Sequence, residues 1–296
     1  MMSKKTAAML GVMPRPVIHK ALSSGERTVL WISRIVLIVF VLIVLIPMWF
    51  VLEASVNPLN SYVTFSFWPD HASLVNYIQV FKDGQWLIWV KNTVIVAMSI
   101  GLIQVFITAL SAFAFSKMRF WGRKYGLMTL IILQMFPNFL AIAAYYSALS
   151  KFNLIDTMGG YILVMIGGSA FNIWLLKGYF DSVPKELEEA AIIDGANSWY
   201  RFTRILLPLA KPMLVVIFLF TIVGTFSDYI MAGMVFETPS QYTLAVGMYG
   251  LISGQFGQNW GLFSAEALMS AVPLALIFGL GQKFIASGLV AGAVKG

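Results

Sequence analysis

Four mostly apolar stretches of this sequence run for 18 residues or more without a charged side chain. They are residues 35–52, 92–115, 125–150 and 157–176. A helix of about 20 apolar residues crosses the hydrocarbon core of a bilayer. Lipid offers the backbone no hydrogen-bond partners, so such a run has to satisfy its own polar groups as a helix. The chain is therefore predicted to be an all-α polytopic membrane protein.

Two further spans are predicted, at 212–236 and 263–282, each with one acidic residue. Asp228 lies inside the fifth span, where an ionisable group usually faces a cavity or a partner, so it is a candidate pathway residue. Glu53 and Glu266 lie near span ends and are expected to reach water. Residues 238–265 are rich in glycine and polar side chains, which favours a cavity-lining or interfacial loop over a seventh span.

The distribution of basic residues predicts the orientation of the six helices. With both termini in the cytoplasm, 17 of the 20 Lys and Arg residues fall on the cytoplasmic side. This asymmetry explains the net charge of +7 better than nucleic-acid binding does. The predicted organisation is a cytoplasmic segment 1–28, a first transmembrane helix 29–52, an external loop 53–91, a core 92–282 and a cytoplasmic tail 283–296.

Composition excludes several classes of protein. Hydrophobic residues make up 59% of the chain and charged residues 11%, too few charges for a water-exposed surface of this size. There are no cysteines, so thiol chemistry is excluded. The sequence has no phosphate-binding G-x-x-x-x-G-K-[ST] loop, and no catalytic or metal-binding pattern such as H-E-x-x-H. We therefore expect no catalytic residues, no metal and no cofactor in this chain.

The cytoplasmic loop 181–211 carries nine of the 33 charged residues, a density typical of a soluble surface. Pro184 fits the first turn of a helix that Gly195 ends. A second short helix should follow, capped by Asn197 or Ser198. An amphipathic hairpin on the membrane surface is the alternative, but a helix with four acids would be repelled by an anionic leaflet. A protein partner is the preferred interpretation.

One gapped pattern in this loop matches a known signature. Glu189, Ala190 and Ala191 are followed after three residues by Gly195, and after nine more by Ile205, Leu207 and Pro208. The pattern resembles the "EAA" signature of permease subunits of binding-protein-dependent ABC importers. Residues 116–124 resemble the basic loop after the second span of carbohydrate permeases. Residues 242–248 and the tail 288–296 resemble the MalG-type subunit of the maltose/maltodextrin subgroup.

The resemblance implies a type I ABC importer (MetI-like) transmembrane domain in the prokaryotic cell membrane. It implies a heterodimer with a second permease subunit, two ATPase subunits that bind ATP and Mg, and an external solute-binding protein. The ATPase-coupling residues implied are Glu189, Ala190, Ala191, Asp194, Gly195, Ile205, Leu207 and Pro208. The implied contact with the binding protein is at Gly254, Gln255, Phe256 and Gly257.

The function that the resemblance implies is import of maltose, maltodextrin or a related oligosaccharide by alternating access. ATP would be hydrolysed by the partner chain, so the chain is a transporter subunit and not an enzyme. A permease for a different carbohydrate stays open as an alternative. A secondary active transporter is the other alternative, but that class typically carries several charged residues at mid-membrane, and here Asp228 is the one candidate.

Overall fold

The structure is a computed structural model that describes residues 23–58, 68, 71–254 and 258–293, without the side chains of 138 and 285–293. Thirteen helices form most of the regular structure of these residues. They are α1 (Ser24–Val56), α2 (Val75–Asp83), α3 (Gln85–Lys117), α4 (Arg123–Gln134), α5 (Ile142–Lys151), α6 (Met158–Ile166), α7 (Ala170–Ser182), α8 (Lys185–Ile193), α9 (Ser198–Leu209), α10 (Lys211–Ser227), α11 (Ile230–Val235), α12 (Leu244–Ile252) and α13 (Trp260–Ala293). A 3₁₀ turn at Asn138–Ala141 precedes α5. The chain divides into two compact units, Met1–Phe50 and Val51–Gly296.

The apolar runs of the sequence form helices, as predicted. Within the described residues α1, α3 and α13 are each long and apolar enough to cross a membrane, and up to six spans result if three bent helix pairs count as one span each. The pairs are α4 with α5, α6 with α7, and α9 with α10. The sequence predicted uninterrupted helices at 157–176 and 212–236, whereas the structure breaks them between Ile166 and Ala170 and at Asp228.

The core of the larger unit is built around α3, which packs against α7 and α10. Leu176, Val216 and Ile217 are fully buried there. The approach is close at Gly101, where an added Cβ would lie 2.7 Å from the Phe218 ring. Small residues at such positions let membrane helices pack backbone to backbone.

The predicted external loop 53–91 contains more structure than the sequence indicated, since α2 and the start of α3 lie within it. The Asn76 side chain donates to the carbonyl oxygens of Ser55 and Asn57 at 3.0 and 2.9 Å. Glu53 and Glu266 are each only 3% exposed, so the expectation that they reach water was wrong. The helix α2 packs on α13. A hydropathy pattern does not predict this contact.

Residues 238–254 contain the nine-residue helix α12, which is too short to cross a bilayer. Hydrogen bonds connect this segment to the start of α3. The Trp89 indole donates to the Pro239 carbonyl oxygen at 3.0 Å, and the Asn92 amide donates to the carbonyl oxygens of Ser240 and Tyr242. These contacts agree with the interpretation of this region as structure other than a seventh span.

Candidate coupling site

Helix α8 contains the first half of the EAA signature and is closed at its C-terminus by a well-defined turn. Gly195 adopts φ +80°, a left-handed conformation that favours glycine. Its N–H bonds the Ile192 carbonyl at 3.0 Å, and the Ala196 N–H bonds the Ala191 carbonyl at 2.9 Å. This is the Schellman arrangement, which satisfies the last carbonyls of a helix. The expected role of Gly195 in ending the helix is confirmed, and Pro184 occupies the cap position just before Lys185.

One acidic residue anchors α8 to the body of the protein. Glu188 is 7% exposed and forms an ion pair with Lys117, at the C-terminus of α3. Its second carboxylate oxygen lies 3.6 Å from the Arg201 guanidinium in α9. The three side chains form one partly buried charged cluster, and Arg201 also donates to Ser198. Glu188 therefore links α8 through charge to the C-terminus of α3 and to α9.

The second half of the signature lies in α9, a helix that packs one side against the core. Asn197 is the cap, because its side chain accepts a hydrogen bond from the Tyr200 N–H at 2.8 Å. Phe202 and Leu206 are 3% and 0% exposed, and the Phe202 ring lies 5.0 Å from that of Phe113 in α3. Residues Arg201–Leu206 form a π-helical stretch, a distortion that often occurs at functional sites.

The signature residues consequently fall into two groups. Glu189, Ala190, Asp194 and Gly195 are exposed on or just after α8, and Ala191 is half-buried. Ile205 and Leu207 are half-buried on α9, with Leu207 packed against the core, while Pro208 is exposed. The structure thus separates an exposed group on α8 from a group that joins α9 to the transmembrane helices.

Several large apolar side chains are exposed on α8 and at the start of α9. Leu187, Ile192 and Ile193 are 48%, 53% and 85% exposed, and Trp199 of α9 is 62% exposed. Acidic side chains of Glu186, Glu189 and Asp194 lie beside them. An exposed apolar patch with a charged rim is typical of a protein interaction site.

The C-terminal ends of α3 and α7 are also fixed by polar contacts near α8. Asp181 accepts a hydrogen bond from the Ser116 hydroxyl at 2.6 Å and pairs with Lys177 at 2.5 Å. The Tyr179 hydroxyl donates to the Leu209 carbonyl oxygen at 2.8 Å. The segment 181–211 is therefore a firmly held structure, in agreement with its charge density.

Asp228 lies between α10 and α11, and its carboxylate has defined hydrogen-bond partners. Its carboxylate accepts hydrogen bonds from the N–H groups of Met231 and Ala232 at 3.2 and 3.1 Å, and from the Tyr161 hydroxyl at 2.9 Å. The side chain thus caps α11 and connects it to α6. A role of Asp228 in the pathway stays a prediction.

A groove of about 810 Å³ lies beside the break between α6 and α7, within one of the predicted spans. The Gln104 amide donates to the Met165 carbonyl oxygen, and Gln134 donates to the Gly168 carbonyl oxygen while accepting from the Phe171 N–H. Non-helical backbone at this depth requires such partners or a water-filled cavity. The Asn172 side chain also lines the groove and makes no hydrogen bond within the described part of the chain.

Sequence reasoning missed the Glu188–Lys117 pair and both glutamine contacts. Glu188 is one of the four acids of the predicted helix, and nothing in the spacing distinguished it from Glu186 or Glu189. The usable signal was that Lys117 is the first charge after a span and lies on the same predicted side as the loop.

Two predicted features fall wholly or partly outside the described residues. Of the predicted binding-protein contact, Gly254 follows α12 directly, whereas Gln255, Phe256 and Gly257 are outside. The segment 1–22 and residues 294–296 of the tail are outside as well. Among the described residues no three His, Cys, Asp or Glu side chains come together as a metal site.

The packed apolar helices, the polar groove and the exposed helix α8 are features of a polytopic membrane protein. Residues 104–289 match the family described as "Binding-protein-dependent transport system inner membrane component". This match covers more than half of the chain, so the protein belongs to that family. The predicted identity as a permease subunit of this family is confirmed.

Curated relatives support the same assignment. The chain is 35% identical over 268 residues to the galactooligosaccharides transport system permease protein GanQ of Bacillus subtilis, covering 89% of this chain and 95% of that protein. It is 38% identical over 225 residues to the maltodextrin transport system permease protein MdxG of B. subtilis, covering 76% and 81%. It is 35% identical over 294 residues to the maltose/maltodextrin transport system permease protein MalG of Escherichia coli K12, covering 92% and 98%.

A solved structure supports the fold. One chain of a bacterial ABC transporter involved in the import of the acidic polysaccharide alginate is similar to this chain with a TM-score of 0.73 at 23% identity. The likeness covers 89% of this chain and 99% of the other.

Proposed function

We propose that this chain is a permease subunit of an ABC importer for maltodextrins or a related neutral oligosaccharide. Its proposed assembly contains a second permease subunit, two ATPase chains and an external solute-binding protein, in the prokaryotic cell membrane. The maltodextrin and maltose permeases among its relatives support the substrate class, and the galactooligosaccharide permease keeps a second oligosaccharide open. An alginate importer of the same fold, solved with its sugar-bound periplasmic protein, supports the external partner.

The exposed EAA segment on α8 is the observation that carries the proposal. An exposed apolar patch beside acidic side chains suits docking into a cleft of a protein partner. The ion pairs of Glu188 give that docked helix a direct connection to α3 and α9. Rigid-body movement of packed helices needs such a connection. In this proposal ATP binds and is hydrolysed in the partner, and α8 passes the movement to the transmembrane helices.

The proposed topology has six spans with both termini in the cytoplasm. It counts each bent helix pair as one span, and the distribution of basic residues supports the orientation. The groove beside the break between α6 and α7 would then lie along the pathway. Its volume falls within the range of about 300–1,000 Å³ that is usual for ligand sites, and the Asn172 amide offers both donors and an acceptor to sugar hydroxyls.

Reconstitution tests the proposal. Proteoliposomes that contain this chain, its second permease, the ATPase and the binding protein should accumulate labelled maltotriose when ATP is enclosed with the ATPase. Glu189→Lys should abolish co-purification of the ATPase and uptake, because it reverses a charge on the exposed side of α8. Glu237→Lys, an exposed acid outside 181–211, should retain both. ATPase binding and uptake at wild-type levels in Glu189→Lys would refute the coupling role of α8.

A substrate comparison distinguishes the two oligosaccharide classes. Accumulation of maltotriose and not of a galactooligosaccharide supports the proposal as stated. The reverse result assigns the chain to the second class, and accumulation of neither in an assembly that hydrolyses ATP would refute a neutral oligosaccharide as substrate.

A further inference from the structure

The basic loop between α3 and α4 borders a pocket that the coupling function does not use. The pocket has a volume of about 1290 Å³, and four cationic side chains line it: Arg119, Arg123, Lys124 and Lys177. The first three come from residues 119–124, at the predicted cytoplasmic surface, and Lys177 projects from α7. The sequence singles this loop out only for its charge and its family resemblance.

Most of this positive charge is not neutralised. Lys177 pairs with Asp181, whereas Arg119, Arg123 and Lys124 form no salt bridge with any described carboxylate. The Arg123 guanidinium donates to the carbonyl oxygens of Phe115 and Ser116 at 3.0 and 2.6 Å, which fixes its position without cancelling its charge. The pocket therefore holds three uncompensated positive charges beside the membrane.

The other wall of the pocket is apolar and leads into the predicted bilayer. Phe115, Thr129 and Leu130 line it, and Leu130 lies two turns into α4, a helix of one of the predicted spans. The outer faces of α4 are apolar, with Met128 64% exposed and Leu133 64% exposed. A ligand that fills this pocket thus meets cations at one end and hydrocarbon at the other.

Two aromatic residues mark the pocket as a membrane-interface site. Trp121 is 99% exposed at the turn before α4, and Tyr125 is 65% exposed one turn later. Trp and Tyr favour the headgroup level of a bilayer. The Lys124 ammonium lies 5.1 Å from the Tyr125 ring centroid. Headgroup-level aromatics and cations thus lie together at the mouth of the pocket.

We propose that this pocket binds an anionic phospholipid, with the phosphate among Arg119, Arg123 and Lys124 and an acyl chain along Leu130. The cytoplasmic leaflet supplies anionic lipid, and basic pockets between transmembrane helices on that side recognise such headgroups. A free phosphate satisfies the cations but leaves the apolar wall in contact with water. A zwitterionic lipid satisfies the wall but not the net positive charge.

Native mass spectrometry of the detergent-purified permease complex tests the assignment. Phosphatidylglycerol, phosphatidylcholine and glycerol phosphate are titrated onto the wild type and onto the double variant Arg119→Gln/Lys124→Gln. Arg123 is left intact because it also holds the end of α3. The control Lys151→Gln removes an exposed cation outside the pocket.

Phosphatidylglycerol should bind the wild type in preference to phosphatidylcholine. The double variant should lose about 30-fold in phosphatidylglycerol affinity, as expected for two cations at a membrane surface, while Lys151→Gln keeps the wild-type affinity. Higher salt should weaken the preference. Equal phosphatidylglycerol affinity in the double variant and the wild type would overturn the proposal. Glycerol phosphate that binds as tightly as the lipid would also overturn it, in favour of a soluble anion.

Discussion

Replacing Glu188 with glutamine removes the negative charge that holds α8 to the transmembrane core while preserving size and shape. The side chains of Glu188 and Lys117 are 9% and 13% exposed, and Arg201 is 16% exposed. Loss of one partner from a fully buried pair costs about 3–5 kcal/mol, and an exposed pair contributes about 1 kcal/mol or less. This cluster lies nearer the first case, so we expect a loss of about 2–3 kcal/mol, since two cations are left without a carboxylate.

The consequence should be measurable in both stability and transport. Glu188→Gln should lower the denaturation midpoint of the purified permease complex and reduce ATP-driven uptake, because α8 then moves without its link to α3. Glu186→Gln is the matched control for stability, since Glu186 is an exposed acid on the same helix and has no ion pair within the described structure. In a Lys117→Met background the additional cost of Glu188→Gln should shrink, as in a double-mutant cycle. Identical stability and uptake for Glu188→Gln and Glu186→Gln would refute the anchoring role.

Three further predictions follow from backbone geometry and packing. Gly195→Ala should destabilise the segment by about 1–2 kcal/mol because the backbone at this position is left-handed, and Gly195→Asn should destabilise it by less. Equal destabilisation by the two variants in thermal unfolding would contradict this prediction. Gly247→Ala should cost about 1–3 kcal/mol, since the added Cβ would lie 2.2 Å from the Trp89 ring, whereas Gly250→Ala meets no atom within 4 Å and should be tolerated. Asp156→Asn should destabilise the complex above about pH 4 and progressively less as the pH falls below it, as measured by unfolding at several pH values.

The pH dependence at Asp156 follows from its hydrogen bonds in the loop between α5 and α6. Partial burial raises its pKa, but hydrogen bonds from the Glu237 N–H and from the Thr238 hydroxyl and N–H outweigh that effect, so the pKa lies below its ordinary value. A carboxyl with a lowered pKa stabilises the fold above its unfolded-state pKa. That contribution is lost as the pH falls through the folded-state value. A wild-type protein and variant that differ equally at pH 3 and pH 7 would contradict this origin.

Hydropathy and loop charge predicted most of the architecture because both report directly on the bilayer. The helical class, the apolar segments and the exposed charged loop 181–211 could all be read from residue patterns. The EAA spacing also located α8 and its end at Gly195, since a left-handed turn after a helix strongly favours glycine.

The breaks within the spans could not be read in the same way. The break between α6 and α7 depends on Gln104 and Gln134, which are far from it in sequence and donate to its carbonyl oxygens. At the break after α10, the Asp228 carboxylate accepts hydrogen bonds from α6 and α11. The sequence shows only a single acidic residue within an apolar run and does not show these partners. Likewise the burial of Glu53 and Glu266 depends on tertiary packing, which no local pattern predicts.

The absence of cysteine from the sequence allows a direct test of the central claim, that α8 is the docking element for a separate ATPase. Ile193→Cys places one thiol on the most exposed apolar position of α8, at 85% exposure, and Lys151→Cys places one outside 181–211. Thiol labelling rates are measured for the permease complex with and without ATPase subunits. The thiol at position 193 should be strongly protected when the ATPase is bound, while the thiol at position 151 reacts at the same rate. Equal labelling of position 193 in the presence and absence of bound ATPase would contradict the claim.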